Sequence, residues 1–401
     1  MAEIKLNIES DQIQRLLGSD RALAELLEQV LNQVLEAELT EHLGAEPHER
    51  TPDRRGRRNG HYVRQLTTRV GTLELEVPRD RAGRFQTELF ERYQRSEQAL
   101  VLTLMQMVVN GVSTRKVKRI TRQLCGREFS RSTVSELAKG LDEQVETWNE
   151  RPLDGSYPFV LVDAMQIKVR RQAAVRSTSV LIALGINAEG FREILGIRVA
   201  DSESEAGWLE TFRWLKRRGL DGVDVVVSDA HAGLVSALER CFQGAIWQRC
   251  QVHFRRNVVD RAPKNCQDEL HGGLNRILKA EDAPTARRAF KALCEELEGR
   301  ADRALEILEA GLEDAIAVLA LPDKYRKRLR STNMLERLIE EARRRERVIR
   351  IFPDERSPWR LLSALLAEQH ELWITGRRWL AMDDYWTWKK KRESEDLERA
   401  A

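Results

Sequence analysis

Between residues 158 and 250 the chain reads as three strands in succession and then as an alternation of helix and strand. That order restricts the fold more than any other feature. Residues 158–170 (PFVLVDAMQIKVR), roughly 177–187 and 191–200 (FREILGIRVA) are apolar and rich in Val, Ile and Leu, the last two joined by a turn from Asn187 to Gly190. A helix over 204–219 holds Trp208 and Trp214. A buried strand at 223–229, a helix at 231–240 and a short strand at 245–250 follow. Consecutive strands followed by helix–strand alternation make a mixed α/β sheet.

The flanks are helical and polar. Leu23, Leu26, Leu27, Val30, Leu31, Val34, Leu35 and Leu39 recur at three- and four-residue steps, so 21–43 is one amphipathic helix. Its stripe needs a cover: a helix of the same protomer by default, a second protomer as the alternative. RTPDRRGRRNGHY (50–62) is a loop holding Arg54, Arg55, Arg57 and Arg58, and the alternation at 63–80 about Gly71 predicts a hairpin. Residues 97–142 are helical. A helix from Ser113 to Leu124, a stop at Gly126 and a start capped by Ser130 or Ser132 resemble a helix-turn-helix, which a generic helical hairpin also resembles. In the first reading Arg131, Ser132, Thr133 and Ser135 face DNA, beside Arg115 and Lys116 on the preceding helix. Residues 267–320 are helical throughout, and helices at 332–347 and about 355–373 precede a charged tail at 377–401. No internal repeat, Walker A loop or GxGxxG is present.

Charge is distributed unevenly. Residues 1–50 carry 11 acids and 4 bases, net −7, whereas 50–69 and 113–139 are each net +6 in a chain of net +3. Local basic blocks on a nearly neutral chain point to a polyanion held at defined surfaces; taken singly, each is also an ordinary solvated face. No apolar stretch approaches the ~20 residues that span a bilayer, and MAEIKLNIESDQ lacks the pattern of a signal peptide. Five scattered cysteines fit a reducing cytoplasm better than a disulfide framework.

Three acids stand in settings suited to chemistry. Asp163 lies within the first strand and Asp229 ends the fourth, 66 residues on; Glu336 lies on an arginine-rich helix another 107 residues on. Ligands of an open α/β sheet gather at the carboxyl ends of neighbouring strands. Hard divalent cations want oxygen ligands, and two such ions can clamp the attacking and leaving oxygens of a phosphodiester displacement. Asp224, Glu340 and Glu341 are equally acidic and are expected to be merely solvated. Cys250 and His253 form a Cys-x-x-His pair, half a zinc site. The nearest second pair, Cys266 and His271, has a four-residue gap, so packing or DNA positioning is the expectation for Cys250 and His253. His231 can touch DNA or a metal-bound water, or cap a helix. Trp247 can stack on an unpaired base or pack in the core. Lys168, Arg170, Arg343, Arg344 and Arg345 are either phosphate contacts or solvated.

The sequence also carries RNGHYVRQLTTRVGTLELEVPRDRAGRFQTELFERYQRSEQAL, GVSTRKVKRITRQLCGREFSRSTVSELAKGLD, VDAMQIKVR, SDAHAGLVSALERCFQGAIWQRCQVHFRRNV, STNMLERL and RVIRIFPDERSPWRLLSALLAEQ. In these six ordered blocks, nearly end to end, the chain resembles bacterial insertion-sequence transposases of the IS256 type, related to the eukaryotic Mutator transposases. The resemblance implies an α/β, RNase H-like mixed-sheet catalytic domain (151–260 and 329–376) interrupted by an all-helical insertion (261–328). Ahead of it would come an N-terminal region for dimerisation and DNA-end binding (1–95) and a helix-turn-helix-like region (96–150). It implies a DDE triad of Asp163, Asp229 and Glu336 holding two Mg²⁺ ions, with Mn²⁺ able to substitute. One ion would activate water or a DNA 3′-OH and the other would stabilise the departing oxygen. It further implies a bacterial, nucleoid-associated homodimer that acts on inverted-repeat ends through a circular intermediate, with Cys250-x-x-His253 as a signature near the site. The rival readings are a domesticated DNA-binding regulator and a structure-specific nuclease. One departure stands out: the family pattern has Asn three residues after the glutamate, where this chain has Ile339.

Overall fold

The computed structural model describes residues 20–68, 70–89, 98–125, 129–130, 133–134, 138–172 and 174–400, in two units, 1–140 and 141–401. In the first unit, helix α1 (Asp20–Leu43) packs on a hairpin of β1 (Arg58–Thr68) and β2 (Gly71–Asp80). Gly71, at φ +140°, closes the turn with a backbone angle that side chains resist. Leu35 of α1 is buried with Leu66, Leu73, Leu75 and Val77, so the amphipathic stripe is covered by this protomer's own hairpin rather than by a helix. Glu28 and Asn32 accept the β2 N–H groups of Glu74 and Glu76, which fixes the hairpin's exposed edge to the helix. Helices α2 (Gln98–Val109) and α3 (Thr114–Cys125) follow. Ser130 accepts the N–H of Thr133, the expected cap, but Gly126, Arg131, Ser132 and Ser135 lie outside the described residues.

The second unit begins with α4 (Asp142–Asn149). Asp142 binds Arg360, and Glu146 binds Arg356, so α4 is tied to a helix that lies far along the chain. The sheet has the order β5 (Arg192–Ala200), β4 (Ala174–Ile186), β3 (Phe159–Arg171), β6 (Val225–Ser228), β7 (Ile246–Arg249). Pairs β3–β4 and β4–β5 are antiparallel, and β3–β6 and β6–β7 are parallel. The hairpin-linked strands pair antiparallel. Helices α5 (Glu205–Arg217) and α6 (Ala232–Cys241) make the crossovers that parallel strands require.

Strand parity divides the core into two layers. Val160, Val162, Leu181 and Val226 pack with Trp208, Phe212 and Leu234 on one face. Phe159, Leu161, Met165, Val225 and Val227 face the other, together with α11 (Asp323–Leu329), α12 (Asn333–Ile349) and α13 (Arg356–Ile374). Between β7 and α11 lie α7 (Gln251–Val259), α8 (Gln267–Leu278), α9 (Ala283–Leu297) and α10 (Asp302–Ile316), with a core of their own that includes Phe254, Leu274, Leu293 and Leu308. The charged tail ends in helix α14 (Asp383–Ala400). Its Tyr385 is fully buried, 4.7 Å from the Phe159 ring, and its hydroxyl bonds Asp224, as does Lys389. Asp224 is therefore a structural anchor and not merely solvated. No helix among the described residues is long and apolar enough to cross a membrane.

Candidate active site

Register and parity set the two aspartates side by side. Leu161 of β3 pairs with Val227 of β6 in parallel register, and two residues further along each chain stand Asp163 and Asp229. Residues two apart share a face, so both carboxylates project on the face that α12 covers. Leu335, Leu338, Ile339 and Ala342 pack that helix into the core, and Glu336 enters from its first turn. Ile339 is thus a core residue, only 6% exposed.

His253 joins the three acids. It sits in the first turn of α7, immediately after β7. Its Nδ1 lies 3.9 Å from Asp229 Oδ2 and its Nε2 lies 3.3 Å from Glu336 Oε1. Cys250, fully buried, holds the imidazole from one side, and the Thr332 N–H and hydroxyl approach the same sulfur at 3.4 and 3.3 Å. The Gln251 N–H donates to the Arg330 carbonyl at 2.9 Å. These bonds pin the start of α7 to the segment that launches α12, so Glu336 meets the strand carboxylates despite its distance in sequence.

The electrostatics follow from crowding. Burial pushes the Asp163 carboxyl up to about 6; the Ala164 N–H and His253 oppose the shift, and the like charges of Asp229 and Glu203 add to it. The hydrogen bond to Cys250 pushes His253 up to about 9 against its burial, helped by the charges of Cys250, Asp229 and Asp163. Burial alone would raise the Cys250 thiol, but its bonds to His253 and Thr332 outweigh that and lower it. At neutral pH an imidazolium thus stands among acids. Glu336 Oε1 is buried and has no hydrogen-bond partner among the described residues. A buried carboxylate oxygen held only by the ion-pair contact with His253, beside two further acids, is a donor set that fits a hard divalent cation. A softer set overlaps it: Cys250, His253 and Glu336 each offer a ligand atom within 4.8 Å of the others. Cys266 lies instead in the separate helical core.

Several other expected residues stand elsewhere. Lys168 and Arg170 are exposed on β3, but their parity puts them on the face opposite Asp163. Trp247 packs partly buried in the other core layer and donates its indole N–H to Ser228 at 2.9 Å, so it packs rather than presenting a stacking face. Arg345 is buried and pairs with Glu341, which also binds Arg344 and is thus not merely solvated. Arg58 binds Glu36 at 2.6 Å, and Arg54 donates to the Glu49 and Gly56 carbonyls, so both serve their own unit. Arg55, Arg57, Arg115, Lys116 and Thr133 are exposed, Arg343 is half-buried, and His231 stands at the N-cap of α6 without a capping side-chain bond. Sequence reasoning missed Glu203, whose carboxyl is raised by burial and, among smaller causes, by Asp229. The signal was available: Glu203 follows the end of β5, which runs parallel to β3 and β6.

Comparison with known proteins gives a consistent result. Residues 1–376 match the family described as Transposase, Mutator family. The transposase for insertion sequence element ISRM5 of Rhizobium meliloti (strain 1021) is 47% identical over 94% of both chains. The transposase for IS256 in transposon Tn4001 of Staphylococcus aureus is 42% identical over 96% of this chain and 100% of its own. That for IS1081 of Mycobacterium tuberculosis (strain ATCC 25618 / H37Rv) is 39% identical over 91% and 89%.

Proposed function

The chain belongs to the Mutator family of transposases, and from that premise we propose that it cuts the ends of its own insertion sequence and joins them to other DNA at Asp163, Asp229 and Glu336. The observation that carries this reading is the meeting of three carboxylates, from two strands and a helix, around His253. Mg²⁺, or Mn²⁺ in its place, would be held by the three carboxylates, and when bound supplies Lewis-acid activation of the attacking oxygen and charge stabilisation of the leaving one. The chain's own residues prepare the ground. Asp163 and Asp229 are fixed by the sheet register, which sets their spacing before any ligand arrives. Glu336 closes the set from α12, and Cys250 and Thr332 hold the neighbourhood in place through the imidazolium of His253.

The sheet order β5-β4-β3-β6-β7, with its first three strands antiparallel and the rest parallel, supports an RNase H-like fold. Exposed Arg55, Arg57, Arg115 and Lys116 support phosphate contacts by the first unit. A helix-turn-helix, a homodimer and a circular intermediate rest on family resemblance alone.

The test is a labelled duplex carrying the element's own terminal repeat. We expect a nick at the repeat boundary in Mg²⁺ or Mn²⁺, abolished by EDTA. Glu336→Gln should lower the rate on the order of a thousandfold, since several kcal/mol of transition-state stabilisation are at stake. Repeat-specific binding without cleavage in either metal would sink the enzymatic reading and favour a DNA-binding regulator.

A further inference from the structure

A cleft of about 550 Å³ opens beside the start of α12, within the size range of ligand sites. Arg192 of β5, Lys327 and Arg328 of α11, Arg337 of α12, Trp373 of α13 and the following Trp379 line it. The Arg192 guanidinium lies over the Trp373 ring, 4.6 Å from its centroid, and Arg328 lies over Trp379 at 5.3 Å. The cleft is therefore built from layered guanidinium and indole planes.

Its charge is unspent. Among the described residues no carboxylate pairs with Arg192, Lys327, Arg328 or Arg337, whereas Arg276 of α8, Arg287 of α9 and Arg300 just ahead of α10 each bind a glutamate. Glu341, the one acid in the lining, is engaged by Arg344 and Arg345. Arg192 Nε is buried without a hydrogen-bond partner, and burial together with the like charge of Arg328 depresses the Arg192 pKa. Unpaired guanidinium groups select an anion, bidentate phosphate above all. Indole faces select a planar ring. A nucleotide is both.

Position narrows the choice further. Arg337 directly follows Glu336, and Ser331 in the lining directly precedes Thr332, which binds Cys250. On α12, Met334, Arg337, Leu338 and Glu341 turn to the cleft and Glu336 turns to His253, so cleft and carboxylates lie on different faces of one helix, and a strand engaged by both passes around the start of α12. We propose that the cleft takes an unpaired nucleotide of the DNA being processed, its base against Trp373 and Trp379 and its phosphate on Arg192, Arg328 and Arg337. This rests on the reading that the neighbouring carboxylates act on DNA. Extruding a base costs stacking and pairing, and a preformed aromatic and cationic slot offsets that cost.

The experiment compares full-length protein on two probes in Ca²⁺. One is a blunt duplex of arbitrary sequence; the other is the same duplex with a single-stranded extension containing 2-aminopurine. The wild type should bind the extended probe about tenfold more tightly and change its fluorescence through stacking. Arg328→Glu with Arg337→Glu alters two exposed side chains and should remove that preference, as should Trp373→Ala where it folds. Equal affinity of the wild type for both probes would overturn the proposal, and so would a preference that survives the charge reversal. Asp163→Asn separates this idea from the enzymatic one: it should lose cleavage and keep the preference. A preference in a protein that never cleaves would leave the cleft standing and the catalytic reading refuted.

Discussion

His253 is the side chain on which the candidate site turns. It touches two acids, and its position depends on a thiol whose partners come from the other side of the site. Cys250→Ala should therefore lower cleavage about tenfold or more, with a smaller loss in Cys250→Ser, which keeps a hydrogen-bonding atom for Thr332. Initial rates on the repeat-bearing duplex check this. A second histidine supplies a stability prediction. His370 is buried and its Nδ1 accepts the Ile194 N–H; burial, with help from Arg151, lowers its pKa from 6.5 to about 4. As pH falls through 6.5 the unfolded chain takes up a proton that the folded chain refuses until about 4. Stability contributed by the neutral ring is thus complete above that window and declines through it. Melting temperature should fall over this range, and His370→Gln should flatten the fall. At this scale the sequence was partly legible. Strand parity around Asp163 and Asp229 could be read directly, because alternation is a local property. Arg345 and Arg58 could not, because an arginine that pairs inside its own unit looks identical in sequence to one that waits for phosphate.

The elements that place Glu336 are helices packed against a sheet, and their contacts are close. A Cβ on Gly273 of α8 would come within 2.3 Å of Leu293 Cδ1 on α9. Gly273→Ala gains about 1 kcal/mol in helix propensity but overpacks the crossing at a cost of about 1–3 kcal/mol. We expect a net loss, read as a lower denaturation midpoint. The order of strands and helices from 158 to 250 was legible because each element carries its own period, and the observed limits there differ from the expected ones by only a few residues; α7, which carries His253, and α11 were not anticipated. Nor was the final helix. Its buried positions are one tyrosine and a methionine just ahead of it, with tryptophans half covered among lysines and arginines, so no apolar period marks it as a core element.

At the scale of the whole chain, that last helix is what completes the second unit. Tyr385 packs between Phe159 at the start of the first sheet strand and Tyr325 of α11, and its hydroxyl reaches Asp224. Tyr385→Ala should cost about 3–5 kcal/mol, as for other large buried aromatics. Tyr385→Phe, which leaves Lys389 on Asp224, should cost only about 1 kcal/mol. Chemical denaturation of the full chain distinguishes the two.

The long separation of Glu336 from its partners has a consequence in time. A ribosome delivers the hairpin unit first, then the two strand aspartates, then the whole helical bundle, and only then α12. A nascent or prematurely ended chain thus has its arginine-bearing first unit made while its acid set is still missing a member. The order of synthesis thus keeps the proposed acid set incomplete until α12 has emerged, whatever has folded before it.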